Sequence, residues 1–227
     1  KVISIAAKKL GVPEEEIDLK DRVAYSTKTP DKRMPISWIA REAFFKGEPI
    51  VGTGAFFPDI DLQREWVSNP WGQMAGTYSF GTSVAELEID EETGKIRVPK
   101  FIAAHDCGRP INPMAVEGQM EGSVGQAGIA TIFEGNIWHK GFLLNPDLLE
   151  YKVPLACDMP DIETIIVSSN DPEGPFGAKE GGLTIRMNAY SAIACAFTNA
   201  TGMLFEELPL TPDNVLKLLE KNKGGKR

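Results

Sequence analysis

The chain has 227 residues, 42% apolar and 25% charged, an ordinary globular balance for one sizeable domain or two small ones. Its net charge of −8 excludes a nucleic-acid surface, which needs clustered Lys and Arg, and the one basic cluster, 221–227, reads as a frayed tail. No apolar run approaches the roughly 20 residues of a membrane-spanning helix. No basic-then-apolar leader opens the chain, and Lys1 in place of Met makes us expect a true start further upstream.

Val2, Ile3, Ala6 and Leu10 share one helical stripe, which Gly11 and Pro13 end. After a polar stretch with a short strand, 35–46 reads as a second helix closed by Gly47, and 49–57 as a strand. Residues 58–79 carry Pro, Asn, Trp and Gly without periodicity and read as a long loop, a kind of segment that is usually functional or interfacial. Ala85, Leu87 and Ile89 alternate with Glu86, Glu88 and Asp90, giving a strand with one buried face. A turn over 90–95 leads into a second strand and on to Phe101, Ile102 and Ala103.

Residues 113–133 read as a long helix with glycine at 118, 122, 125 and 128. Each interior glycine costs about 1 kcal/mol relative to alanine, so four of them imply close approach by a backbone or a flat ligand. A β-branched run, 164–168, predicts a strand, and 171–182 is a loop dense in Gly and Pro. Residues 186–200 form a helix rich in small residues, and Thr211 with Pro212 starts a last helix carrying Val215, Leu216, Leu218 and Leu219. The mixture predicts an α+β fold of mixed sheets and packed helices, with 1–227 as a single domain or two intertwined subdomains.

Cys107, Cys157 and Cys195 form no CxxC or Cys/His spacing, so neither zinc nor an iron–sulfur cluster is expected on this chain. They read as thiols of a reducing cytoplasm. His105 and His139 are the only histidines, thin support for a histidine-based triad. Three glycine-rich stretches offer free backbone N–H groups suited to a polar or anionic ligand: 50–56, the helix around Gln119, and 174–182. None fits a phosphate-binding GxxxxGK[ST] loop or a GxGxxG dinucleotide fingerprint.

The ordered set Ala85-Glu86-Leu87-Glu88-Ile89-Asp90, His105-Asp106-Cys107-Gly108-Arg109-Pro110-Ile111-Asn112-Pro113, Glu117-Gly118-Gln119-Met120-Glu121-Gly122, Tyr151-Lys152-Val153-Pro154 and Gly174-Pro175-Phe176-Gly177-Ala178-Lys179 resembles the molybdopterin-binding subunits of the xanthine dehydrogenase/aldehyde oxidase family. The likeness runs from about 85 to 202 and is weaker before that. It implies a molybdenum–molybdopterin cofactor, expected as the cytosine dinucleotide, with iron–sulfur clusters and FAD on partner subunits. It implies that Gln119 points toward the metal end of the pterin, that the loop carrying Gly177, Ala178 and Lys179 passes beneath the metal, and that Gly52, Thr53 and Gly54 lie near the pterin phosphate. His105 and Asp106 are read as structural, and Cys107 as no metal ligand, since the pterin dithiolene would fill that role. No protein side chain is expected to ligate the metal.

The resemblance also implies a glutamate as catalytic base four positions after the lysine, taking a proton from the attacking oxygen. Leu183 stands there. Three explanations stay open: Glu180 reaches the site through a reshaped loop, the base comes from another chain, or the chemistry needs no carboxylate, as in a reduction. Glu180, the only carboxylate after the lysine in this loop, is the candidate catalytic residue.

The chain is short for the family, so a split subunit or a fragment is expected, its partners carrying the rest of the site. The expected activity is hydroxylation of an N-heterocycle, aldehyde or aromatic thioester with water as the oxygen source. The alternatives are a reductase using the same cofactor and a non-catalytic structural subunit.

Overall fold

The computed structural model describes residues 1–57, 76–204 and 208–224. The chain divides into two compact units, 1–56 and 57–227.

In the first unit, helix α1 (Val2–Leu10) ends at Gly11, whose φ of 64° lets its N–H close on the Ala7 carbonyl. A 3-10 turn (Glu14–Glu16) leads into an antiparallel meander of β1 (Ile17–Lys20), β2 (Val23–Ser26) and β3 (Arg33–Pro35). Helix α2 (Ile36–Phe45) follows, one residue inside each predicted bound. Ala6, Ala7, Ile17, Ala24 and Ile39 make a small core, too few apolar residues to mark three strands in the sequence. The strand expected over 49–57 does not form: that segment carries no regular structure. The loop expected over 58–79 lies, up to residue 75, outside the described residues.

The second unit is built on a three-stranded sheet in the order β10-β7-β4. Central β7 (Lys100–Asp106) pairs parallel with β10 (Asp161–Val167) and antiparallel with β4 (Gly81–Ala85). The predicted hairpin appears as β5 (Glu88–Ile89) and β6 (Ile96–Arg97). The Asp90 carboxylate fixes its turn by accepting from the Glu92 and Thr93 N–H groups. Along β7, alternate residues Phe101, Ala103 and His105 are buried, and helix α6 (Leu183–Thr201) covers them with Ile185, Ala189, Ile193 and Phe197, one residue per turn.

The helix predicted over 113–133 is one rod in three parts: α3 (Pro113–Ser123), a π-helical turn (Val124–Ile129) and α4 (Ala130–Phe133). Asn112 caps it, its side-chain oxygen accepting from the Ala115 N–H, with Pro113 in the first helical position. Its glycines divide. A Cβ on Gly128 would sit 3.2 Å from the Ala189 Cβ, and one on Gly125 3.1 Å from the end of Met159. Around Gly118 and Gly122 there is open space, so close approach within the described chain explains only two of the four.

A small hairpin, β8 (Trp138–His139) and β9 (Phe142–Leu143), and short helix α5 (Leu148–Tyr151) lead to β10. Helix α7 (Pro212–Gly224) starts after Thr211, where the sequence placed it, and Val215 and Leu219 reach the main core. Among the described residues no helix is long and apolar enough to cross a membrane.

The division of the glycines is testable. Gly128→Leu overpacks the contact with α6 and should destabilise the chain by about 2 kcal/mol. Gly122→Leu meets open space and should leave the unfolding midpoint unchanged or slightly raised. Equal losses in thermal unfolding would show that both face packed structure.

Candidate functional site

The chemistry-bearing residues converge where β7 ends. Beyond Asp106 the chain turns through Cys107-Gly108-Arg109, which zips onto the loop before α6. The Lys179 N–H donates to the Cys107 carbonyl (2.8 Å) and the Arg109 N–H to the Gly177 carbonyl (2.7 Å). Gly108 lies at φ 66°, and a Cβ there would fall 2.3 Å from the Gly177 carbonyl oxygen, so only glycine fits.

An ion pair locks this join. Lys179 Nζ lies 2.5 Å from Asp106 Oδ2, with the two side chains 4% and 13% exposed. The same ammonium donates to the Tyr78 carbonyl and lies over the Phe80 ring. Asp106 Oδ1 accepts from the Ser169 hydroxyl (2.7 Å) and the Gly108 N–H (3.0 Å). Burial alone would raise the Asp106 carboxyl. Lys179, Ser169 and Gly108 outweigh burial and bring it down to about 2.

Glu180 is engaged at the start of α6. Its Oε2 accepts from the Gly182 and Leu183 N–H groups, both at 2.6 Å, and its Oε1 from the Thr184 hydroxyl (2.6 Å) and N–H (3.1 Å). Buried His105 holds the same residue from below, Nε2 donating to the Glu180 carbonyl at 2.9 Å. Burial would raise the Glu180 carboxyl, but the Thr184 hydroxyl and the three N–H donors lower it overall.

These contacts engage two of the expected site residues. Glu180, the candidate base, is a helix cap whose lone pairs are already directed at α6 and whose affinity for a proton is reduced. Lys179, a candidate cofactor ligand, has its charge spent on Asp106. Gly177 is likewise buried within the turn, and Ala178 pairs with Gly108, so both contribute to the loop's shape. Sequence reasoning had set Asp106 aside as structural without identifying Lys179 as its partner, because the two stand 73 residues apart.

Gln119 lies beside this loop. A Cβ on Gly182 would come within 3.1 Å of the Gln119 carbonyl and 3.0 Å of the Ser123 hydroxyl. The turn of α3 carrying Gln119 therefore abuts the start of α6. Gln119, Gly118 and Gly122 are exposed on α3, and at the head of α6 Leu183 and Met187, four residues apart, are 63% and 62% exposed. Phe176, part of the Gly174–Lys179 motif, carried no role of its own in the sequence. It is 83% exposed and held at φ 56°, a left-handed conformation that is uncommon for an aromatic residue.

Gly52, Thr53 and Gly54 are exposed in the first unit and carry no regular structure. Burial pushes the Cys107 thiol up, while Cys157 and Cys195 are exposed. Among the described residues no group of His, Cys, Asp and Glu is arranged to hold a metal ion.

Comparison with known proteins decides the family. The molybdopterin cofactor-binding domain family matches residues 1–160. The chain belongs to that family. Probable hypoxanthine oxidase XdhD of Escherichia coli (strain K12) is 35% identical over 176 residues, covering 73% of this chain and 18% of that protein. The nicotine 6-hydroxylase large subunit of Paenarthrobacter nicotinovorans is 28% identical over 96% of this chain and 26% of its own length. Quinoline 2-oxidoreductase from Pseudomonas putida 86 superposes with a TM-score of 0.69 at 26% identity, covering 97% of this chain and 28% of that one. The chain thus spans about a fifth to a quarter of the relatives it matches, and the structural likeness supports the α+β, molybdopterin-binding fold.

Asp106→Asn leaves the Lys179 ammonium buried without its counter-charge and should cost about 3 kcal/mol. The pH dependence follows. Asp106 is held below its unfolded value, so its stabilisation is full above about pH 4 and is lost as pH falls toward about 2. Denaturant midpoints measured from pH 5 to pH 2 should show that loss in the wild type and a flatter profile in Asp106→Asn. Parallel profiles would show that the pair is not what holds the loop.

Proposed function

We propose that this chain forms the molybdopterin-cradling part of a molybdenum hydroxylase or dehydrogenase large subunit acting on an N-heterocycle. The observation that carries the reading is the juxtaposition of exposed Gln119, on a helix face left open by Gly118 and Gly122, with the pinned loop 174–182. The residues fit a flat, polar cofactor. Glycines leave room for a planar ring, and the Gln119 amide, which no hydrogen bond within the described chain engages, offers both a donor and an acceptor to its edge. Gly52, Thr53 and Gly54 offer backbone N–H groups and a hydroxyl that suit a phosphate, whose form we take to be a cytosine dinucleotide.

When bound, a molybdenum–pterin supplies two-electron oxidation with water as the oxygen source. The chain's residues orient it. Asp106 and Lys179 hold the loop in register, Gly177 and Ala178 set its path, and Glu180 fixes the head of α6 so that Gly182 stays against Gln119. Relatives named as a hypoxanthine oxidase, a nicotine hydroxylase and a quinoline oxidoreductase support the N-heterocycle class. Relatives named as a complex subunit, a large subunit and a large chain support an assembly with partner subunits, to which we assign the iron–sulfur clusters and FAD. Three free thiols agree with a cytoplasmic setting.

A second reading has its own observation. Leu183, the residue at the expected base position, is exposed and apolar, and Glu180, the one carboxylate after the lysine in the loop, is committed to a cap. A reductase or a non-catalytic scaffold needs no base there.

Elemental analysis of the natively purified complex should find molybdenum near one per chain; its absence, with tungsten also absent, supports the scaffold. In the loaded complex Glu180→Gln separates the roles. A capping Glu180 predicts turnover within about tenfold of wild type for Glu180→Gln, and lowered cofactor content for Glu180→Ala. Turnover abolished in Glu180→Gln at full molybdenum would restore it as the base. Gly122→Leu should lose cofactor while staying folded.

A further inference from the structure

The edge of the sheet at β4 has a feature that the cofactor reading does not use. The Asp106 N–H donates to the Phe80 carbonyl at one end of the β4–β7 ladder, and the Glu86 N–H to the Lys100 carbonyl at the other. Hydrogen-bonded pairs alternate along an antiparallel ladder, so residues 80, 82, 84 and 86 turn their backbone groups toward β7. Gly81, Ser83 and Ala85 therefore turn theirs outward, where no described residue pairs with them.

Beside this edge runs a groove of about 490 Å³, floored by Asn188, Ser191, Ala192, Cys195 and Asn199 of α6, which lie on successive turns of one helix face. The buried Ser83 hydroxyl is without a partner among the described groups. The edge is also undefended. Folded proteins guard open edges with charge, proline or a bulge. β10, the other edge, bears Asp161 and Glu163, the latter paired with Lys100, whereas β4 reads Gly-Thr-Ser-Val-Ala without a charge.

We propose that β4 is completed by an added β-strand: an extended segment from the remainder of the large subunit lies in the groove, pairing with Gly81, Ser83 and Ala85 and resting its side chains on α6. The occupant follows from length, since about three quarters or more of the polypeptide in the relatives lies outside the stretch this chain spans. A strand on the same polypeptide reaches the edge at high effective concentration. The small, uncharged floor suits a backbone running close to α6, and Asn188, Ser191 and Asn199 offer it hydrogen bonds. The inference rests on the large-subunit reading.

The test is amide hydrogen exchange on the natively purified complex, read by fragment mass spectrometry over 81–85. A completed edge protects all five amides as strongly as those of 101–105. If Gly81, Ser83 and Ala85 exchange within seconds while Thr82 and Val84 stay protected, the edge is open and the proposal fails. A photo-crosslinking residue at Asn199 then reports the occupant. Attachment to another stretch of the same polypeptide supports the proposal; attachment to a second copy or to a different subunit overturns it. Ser83→Pro adds a check, because its N–H has no partner among the described residues. It should lower the melting temperature of the complex by several degrees, and an unchanged value counts against strand addition. Molybdenum measured on the same sample keeps the two readings apart: stoichiometric metal with an open edge overturns only the strand.

Discussion

The structure of the candidate site depends on one buried ion pair. Asp106 ends the central strand and Lys179 lies in the loop before α6, and the two meet with almost no solvent between them. Removing two charges from water is costly, and attraction alone rarely offsets that cost unless the remaining hydrogen-bonding capacity is also satisfied. Here it is: Asp106 accepts from Ser169 and Gly108, and Lys179 donates to the Tyr78 carbonyl. The pair commits four separate stretches of chain to one arrangement. An apolar pair of equal volume would adhere but would specify the register less.

From that lock follows a division of labour in which backbone and cap shape the site while side-chain charge is used internally. The N-terminus of α6 would by itself be an anion-binding position. The Glu180 carboxylate already occupies it, accepting from the first free N–H groups and offsetting the positive end of the helix dipole. The surface beside Gln119 offers an amide, glycines, and the exposed apolar side chains of Leu183 and Met187. Such a surface favours a flat, largely uncharged ring over a phosphate.

Much of this was legible in the sequence, and the exceptions have physical causes. The α+β class, the hairpin at Asp90, the helix start at Pro113 and the last helix after Thr211 all followed from local rules, since each depends on residues within one turn or one strand of each other. The meander at 17–35 was hidden because it buries little beyond Ile17, Ala24 and Ser26. The strand expected at 49–57 was suggested by Ile50, Val51 and Phe56, but glycines at 52 and 54 weaken a strand with no pairing neighbour among the described residues. At the site, the motif order led to the loop and to Gln119, whereas the role of Lys179 depended on Asp106, 73 residues away. The capping partners of Glu180, Gly182 to Thr184, are local, but its carboxylate was read for a proton and not for a helix start.

The glycines of the long helix show most plainly what spacing omits. In a regular α-helix Gly128 would lie about 80° around the axis from Gly118, so all four glycines would share one broad face. The π turn over Val124–Ile129 inserts an extra residue, worth about 100° of rotation, and carries Gly128 to about 180° from Gly118. One face of the rod then closes against Ala189 and Ile193, and the opposite face stays open at Gly118 and Gly122. A single rod can thus be anchored to the core and offer bare backbone to a ligand, which an unbroken helix with the same glycine spacing could not do.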